Sequence, residues 1–232
     1  MASLKHLLLV AVLALVPGAA SAFDRYAGLA ETEHQPSDLS KALNLIMSTA
    51  TPDLYFHKRE VMVEEYEKAP INKALAVNSR NGEYWQTTDQ DSKSVTGQRA
   101  LEGCQLRFGS PCKLLAVNDE LAQLTGPTPA EQDMPRLNYS GGFDPNKLPI
   151  VKEEVRKRPD VQNYLSTAQP KAMAIHPIGQ IFVVMGAATA KEAATAALAR
   201  CVLAPGRKKS DGPCYLYALD NDVIIAKRQT FP

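Results

Sequence analysis

Two stretches of sequence that resemble each other decide the fold of this chain. Lys-Ala-Leu-Ala-Val at residues 73–77 recurs as Lys-Ala-Met-Ala-Ile at residues 171–175, an offset of 98 positions. The pattern Pro-Cys-x-Leu-x-Ala begins at Pro111 and again at Pro213, an offset of 102 positions. Because the matched stretches keep their order and nearly their spacing, they indicate an internal repeat.

Each copy of the repeat predicts the same order of elements. A short apolar strand is followed by a turn, a second strand, a helix that ends at a cysteine, and a third strand. The predicted strands are residues 74–77, 83–87 and 113–117 in the first copy and residues 172–175, 181–185 and 215–219 in the second. The sequence therefore predicts an α+β fold of two ββαβ repeats, each with an internal disulfide, plus N-terminal and connecting helices.

The two repeat helices differ in quality. Thr189 and Glu192 form a capping-box pattern at the start of the second helix, and Ser92 takes the cap position of the first. Gly97 and Gly103 weaken the first helix, which suggests that the first copy is the more degraded one. One face of the second helix is predicted to be apolar and buried: Ala193, Ala197, Leu198 and Cys201.

The N-terminus is typical of a secretory signal peptide. Lys5 precedes a continuous apolar run over residues 7–16, and Ala20-Ser21-Ala22 supplies the small residues that a signal peptidase reads. We therefore expect cleavage before Phe23 and export to the periplasm or the medium. The apolar run is too short to span a bilayer stably.

Export changes the interpretation of the four cysteines, Cys104, Cys112, Cys201 and Cys214. In an oxidising compartment an even number of cysteines indicates disulfides, but composition alone leaves three pairings open. The repeat favours Cys104–Cys112 and Cys201–Cys214, because each copy then carries its own bond. Neither spacing is the Cys-x-x-Cys of a thiol oxidoreductase, and neither fits a zinc site.

Composition limits the classes of function. The chain has 232 residues, with 26 Lys+Arg against 25 Asp+Glu. This balance argues against a nucleic-acid partner, which would require a basic excess. The predicted organisation is a signal peptide (1–22), an N-terminal helical segment (23–54), the first repeat module (55–122), a Pro/Gly-rich connector (123–149) and the second repeat module (150–232).

The repeat motifs resemble those of poorly characterised secreted bacterial proteins. The resemblance rests on Lys-Ala-x-Ala, Ala-Leu-x-x-Cys and Pro-Cys-x-Leu-x-Ala and covers residues 60–122 and 160–228. These motifs are similar to domains of unknown function that pair cysteines after an alanine-rich helix. The resemblance implies an exported bacterial protein and carries no established activity.

Two groups of residues are candidates for ligand binding. Tyr84 and Trp85 are neighbours on the second strand of the first copy, so their side chains should face opposite ways, one toward the core and one exposed. The exposed ring could stack on a ligand. Arg207, Lys208 and Lys209 lie together in the loop between the second pair of cysteines, where three cations could dock an anionic surface.

Catalytic and metal motifs are weak in this sequence. Ser140 lacks the first glycine of a Gly-x-Ser-x-Gly motif and lies in the connector. His176 follows a strand of the second copy, but Asn78 takes its place in the first, and it is interpreted as a hairpin histidine. No cofactor or metal is predicted.

The sequence favours a non-catalytic exported protein that binds an unknown envelope ligand or protein. The alternative is an envelope hydrolase whose site forms between the repeats, and the oligomeric state stays open.

Overall fold

Two antiparallel β-sheets organise the chain. The computed structural model describes residues 37–50, 56–122 and 130–230, and the predicted signal peptide and residues 123–129 lie outside these ranges. The helices are α1 (Asp38–Ala50), α2 (Phe56–Lys68), α3 (Lys93–Phe108), α4 (Glu153–Arg156), α5 (Pro159–Gln162) and α6 (Ala190–Val202). The strands are β1 (Ala74–Val77), β2 (Tyr84–Thr87), β3 (Lys113–Val117), β4 (Glu120–Leu121), β5 (Gly141–Gly142), β6 (Lys171–Ile175), β7 (Ile181–Met185), β8 (Tyr215–Leu219) and β9 (Asp222–Val223).

The two sheets are built alike. The first has the strand order β2-β1-β3-β4 and the second has the order β5-β9-β8-β6-β7. In both, the first two strands form a hairpin, a helix crosses the sheet, and the next strand pairs with the first. The register shifts at the matching place, between Leu75 and Ala76 and between Met173 and Ala174. The predicted α+β class and the ββαβ order of each half are confirmed.

The two predicted disulfides are also confirmed. Cys104 is bonded to Cys112, and Cys201 to Cys214. Each bond joins the last turns of a helix to the residue just before the third strand of its module. All four cysteines are almost fully buried, so the bonds belong to the layer between helix and sheet.

Both predicted cap residues occupy the N-caps of their helices, but their capping hydrogen bonds are incomplete. Ser92 occupies the N-cap of α3, but its hydroxyl bonds to Ser94 and caps no backbone N–H. Thr189 accepts the N–H of Glu192 at 3.2 Å, which is one half of the predicted capping box. A neighbouring hydroxyl competes for Ser92, because serine readily bonds locally to other nearby groups. The predicted buried face of α6 is confirmed at all four positions.

Each module ends in a short strand that the sequence analysis did not predict. The turns into β4 and β9 place Asn118 and Asp220 in the left-handed region, each at φ +52°. Their side chains accept the N–H of the matched lysines of the two modules, Lys73 at 3.1 Å and Lys171 at 3.2 Å. Asn and Asp tolerate this conformation because their short polar side chains bond locally.

The connector contributes to the core of the second sheet. While α6 covers one face of that sheet, the residues of the opposite face pack against Leu137, Phe143 and Leu148. The Phe143 ring lies 4.6 Å from the Tyr164 ring, and β5 extends the sheet beside β9. The first sheet is likewise covered on both faces, by α3 on one and by α1 and α2 on the other.

Helix α3 joins the two modules. Its Leu106 belongs to the core cluster under the second sheet, and Gln105 donates to two connector carbonyls. Glu102 accepts the N–H of Ile150 at 2.7 Å and pairs with Arg136 at 3.2 Å. Burial raises the pKa of the Glu102 carboxyl above its ordinary range.

Within the described ranges, no helix is both long enough and apolar enough to cross a membrane.

Candidate functional site

A cleft of about 320 Å³ lies where the first module meets the second. Strand β2 and the end of α3 form one wall, and the β6–β7 turn and the loop before Cys214 form the other. Its lining residues are Lys58, Glu83, Tyr84, Trp85, Gln86, Arg107, Phe108, Ile178, Ser210 and Asp211. A larger groove of about 480 Å³, beside Lys93 and Leu121, is lined by no aromatic side chain. We therefore take the intermodule cleft as the candidate site.

The aromatic pair lies in this cleft, but its predicted burial is wrong. Tyr84 packs toward α1 and α2 while Trp85 packs toward α3, so the two side chains do face opposite ways. Both are half-buried, however, and neither is a core or a fully exposed residue. The reason is that β2 is an edge strand with helices on both faces of its sheet. Both rings are therefore covered in part and open in part.

Gly103 makes room for the Trp85 ring. A Cβ at residue 103 would overlap three atoms of the indole, including Nε1. Strand β2 and helix α3 approach closely at this point, which only glycine allows. The sequence analysis took Gly103 as a sign of degradation, but glycine is required here so that the Trp85 ring can pack against α3. Arg200 takes the matching position in α6, where its Nη1 donates to the Val183 carbonyl.

Two of the predicted basic residues, Arg207 and Lys208, flank the cleft and are not among the residues that line it. Arg207 is half-buried, and its two Nη atoms donate to Val202 O at 2.9 Å and Gly212 O at 3.4 Å. The Lys208 side chain is exposed, and Lys209 begins a short 3-10 turn (Lys209–Asp211). The part of this loop that reaches the cleft is Ser210 and Asp211. Only the backbone of Lys209 belongs to the described structure.

Arg107 is a cleft residue that the sequence analysis missed. It lies in the last turn of α3, and its guanidinium carbon is 5.5 Å from the centre of the Phe108 ring. Its side chain packs against Gly212, where a Cβ would overlap it. No carboxylate of the described residues pairs with it. The sequence carries no local signal for this role, because the contact depends on how the two modules meet.

His176 lies behind the second wall of the cleft and is fully buried. Its Nδ1 accepts the N–H of Ile178 at 3.4 Å, and its Nε2 is 3.1 Å from Gly212 O. The ring is therefore neutral with its proton on Nε2. Burial lowers the pKa of the imidazole below its ordinary value, and nearby Arg207 and Arg107 lower it further, while the bond to Gly212 and the charge of Asp211 oppose this shift.

The acidic groups of the cleft are held by other contacts. Glu83 pairs with Lys58 at 3.1 Å, and the Asp211 carboxylate accepts the backbone N–H of Lys208 at 2.8 Å. Ser140 is exposed beside β5 and does not line the cleft. Within the described residues, no group of three His, Cys, Asp or Glu side chains could hold a metal ion.

The cleft thus offers aromatic faces, hydrogen-bonding groups and one guanidinium without a carboxylate partner. Such a surface can stack on a ring and can bind polar or anionic groups. Its histidine is buried behind the wall and bonded to the backbone. The chain matches no protein-family model, no curated protein and no solved structure.

Proposed function

We propose that this chain is an exported, non-catalytic binding protein of the bacterial envelope, with its ligand held in the intermodule cleft. The observation that carries the proposal is the meeting of half-buried aromatic residues, Tyr84 and Trp85, with the loop of the second disulfide. Open aromatic faces beside polar groups are typical of sites that bind ring-containing ligands.

A binding role is favoured over hydrolysis by the state of the polar groups. A general base needs a free acceptor within reach of the substrate. The His176 ring has both nitrogens engaged by the backbone, and Glu83 is ion-paired with Lys58. The alternative, a hydrolase site between the modules, would have to use Asp211 or Glu83, which leaves it the weaker proposal.

The test uses Trp85, which is the only tryptophan of the chain and reports directly on the cleft. Defined oligosaccharides and short peptides are titrated while the emission of Trp85 is recorded. We expect a ligand that shifts the emission and saturates. Ile178→Lys should weaken its binding by about tenfold or more, a loss of about 1.4 kcal/mol, because the new side chain fills the cleft.

Ile71→Lys is the matched control, since Ile71 is 76% exposed and does not line the cleft. Equal binding by both lysine variants and the unmodified chain would exclude the cleft as the site. Conversion of the bound ligand, followed by mass spectrometry and lost in Asp211→Asn or Glu83→Gln, would establish the hydrolase alternative.

The export half of the proposal has its own measurement. The pattern Ala20-Ser21-Ala22 predicts that the mature chain begins at Phe23. The intact mass of the protein recovered from the envelope or the medium should therefore correspond to residues 23–232. A mature form that keeps residues 7–16 would contradict soluble export.

A further inference from the structure

Three arginines from the two modules lie around the end of α3, next to the cleft. Arg107 and Arg207 both contact Gly212, the first by packing and the second through its Nη2. The hydroxyl of Tyr215 lies 3.5 Å from Arg107 O and accepts Nη2 of Arg228 at 2.8 Å. Gly212 thus contacts the side chains of Arg107 and Arg207, while Tyr215 joins the side chain of Arg228 to the backbone of Arg107. We call these three residues the arginine cluster.

The cluster is held in place without carboxylates. Arg228 lies over the Tyr215 ring with its guanidinium carbon 4.6 Å from the ring centre, as Arg107 does over Phe108. Arg207 is held by two backbone carbonyls. All three side chains are half-buried. Their guanidinium groups are thus pre-oriented by rings and backbone, which lowers the entropy lost when an anion binds.

Several other arginines of the described chain are neutralised by an ion pair. Each of these is paired with a carboxylate: Arg99, Arg136, Arg156 and Arg158. Asp211 is an acidic neighbour of the cluster, and its carboxylate accepts the Lys208 N–H and the Ser210 hydroxyl. The end of α3 also favours cations, and Arg228 reaches its Gln105 carbonyl at 3.5 Å. The Arg107 side chain makes no such bond within the described residues.

We infer that the arginine cluster binds the anionic groups of a carboxylate-bearing glycan whose sugar rings lie in the aromatic cleft. This inference rests on the proposed function. The planar guanidinium matches a carboxylate through two parallel hydrogen bonds. Tyr84 and Trp85 offer the faces on which sugar rings can stack.

The overall charge of the chain supports a sugar over a denser polyanion. With 26 basic and 25 acidic residues, the protein lacks the basic excess that nucleic-acid binding requires. A local cluster of three arginines can neutralise only a few acidic groups, which suits a ligand of low charge density. Acidic sugars, with one carboxylate per ring, have such a charge density.

The first experiment needs no ligand beyond small ions. Iodide and neutral acrylamide are compared as quenchers of Trp85 in the full chain and in Arg107→Gln/Arg207→Gln. If the cluster concentrates anions, iodide quenching should fall in the double variant while acrylamide quenching stays the same. Equal iodide quenching in both proteins would overturn the inference, whatever the outcome for the proposed function.

The second experiment tests the ligand class. Tetragalacturonate and its methyl ester have the same sugar chain, but the ester replaces each carboxylate with a neutral methyl ester. Both are titrated against Trp85 emission. We expect the acid to bind and the ester to bind about tenfold more weakly or not at all, as for the loss of charge-assisted bonds. Arg107→Gln should weaken the binding of tetragalacturonate by a similar factor, and Arg107→Lys should weaken it by less. Added salt should weaken the binding of tetragalacturonate to every variant.

Arg200→Gln is the matched control, because Arg200 also donates to a backbone carbonyl but lies on α6 outside the cluster. It should leave the affinity for tetragalacturonate unchanged. Equal affinity for the acid and the ester, or failure of both to bind, would overturn the acidic-glycan inference. Binding of a neutral ligand that disappears in Ile178→Lys would also overturn the acidic-glycan inference, while the proposed function would still hold.

Discussion

At the scale of residues, His176 and Asn78 hold the same turn in the two modules. Asn78 accepts the N–H of Arg80 through Oδ1 at 2.9 Å, as His176 accepts that of Ile178 through Nδ1. Asn78 donates to the Ser110 hydroxyl at 2.6 Å, and His176 bonds to Gly212 O. Ser110 and Gly212 both precede the Pro-Cys pair of their module. The buried histidine is thus explained by its role in the turn.

The lowered pKa of the buried His176 predicts that the free energy of unfolding falls at acidic pH. Because the folded state lowers the pKa of His176, the unfolded state binds the extra proton first, near its ordinary value of about 6.5. The contribution of His176 is therefore full above that pH and is lost as the pH falls toward the folded pKa, by up to about 1.4 kcal/mol per pH unit. Urea unfolding at pH 7 and pH 5 measures this loss.

His176→Asn should remove this part of the pH dependence, since an amide does not titrate in this range. His176→Ala serves as the comparison, because it loses both backbone bonds at every pH. If the unmodified chain and His176→Asn lose the same free energy of unfolding between pH 7 and pH 5, the titrating group lies elsewhere.

A second residue-scale prediction concerns Gly103. Gly103→Ala places a methyl group against the rigid Trp85 indole, so we expect a loss of about 1–3 kcal/mol in the free energy of unfolding, as for overpacked cores. The emission of Trp85 should shift as the ring is displaced. Gly97→Ala is the control, because its methyl would meet Leu114 at 3.0 Å and Val117 at 3.2 Å, looser contacts than those at Gly103, and the helix would gain propensity. Similar losses in both variants would indicate a general helix effect.

At the scale of elements, each disulfide ties a helix to the third strand of its own module. The closed loops have sequence separations of 8 and 13 residues. Loops of this size restrict the unfolded chain enough to contribute about 2–3 kcal/mol each on the chain-entropy estimate. The bonds therefore hold the crossing helix against a small sheet whose core alone is limited.

Removing either bond should lower the free energy of unfolding by about 2–3 kcal/mol, with the longer loop of Cys201–Cys214 at the upper end. Urea unfolding of Cys104→Ala/Cys112→Ala and of Cys201→Ala/Cys214→Ala measures the two contributions. Reduction of the unmodified chain checks that the loss comes from the bond and not from the shortened side chains. Unchanged stability after complete reduction would refute the energetic argument.

At the scale of the whole molecule, α3 is buried on several sides whereas α6 is buried on one. The buried residues of α6 are Ala193, Ala197, Leu198 and Cys201. Those of α3 include residues that face the first sheet, such as Ala100, and residues that face the connector and the second sheet, such as Glu102 and Leu106. The same helix therefore belongs to the cores of both modules.

This arrangement predicts that the two modules unfold together. Trp85 reports on the first module, while far-ultraviolet circular dichroism reports on all helices and strands. The two urea transitions should coincide, as in a two-state protein. Leu106→Ala, which removes an apolar contact with the second module, should lower the midpoint for both probes. Two separated transitions would show that α3 does not couple the modules.

Local patterns were sufficient to predict much of this fold. The strands at residues 74–77 and 181–185 were predicted with the observed bounds. The buried face of α6 follows from helical periodicity, and the cysteine pairs follow from the matched order of the two copies. Each of these features depends on residues close together in the chain, or on comparing one copy with the other.

The candidate site was decided by tertiary structure. Arg107 lines the cleft because the end of α3 meets Gly212 of the other module, and no periodicity of α3 indicates that contact. Tyr84 and Trp85 are both half-buried because helices cover both faces of an edge strand. The sequence by itself determined the two modules and their bonds, since these arise from short-range patterns. How the modules face each other, and hence the cleft, depends on long-range packing of surfaces that no local pattern encodes.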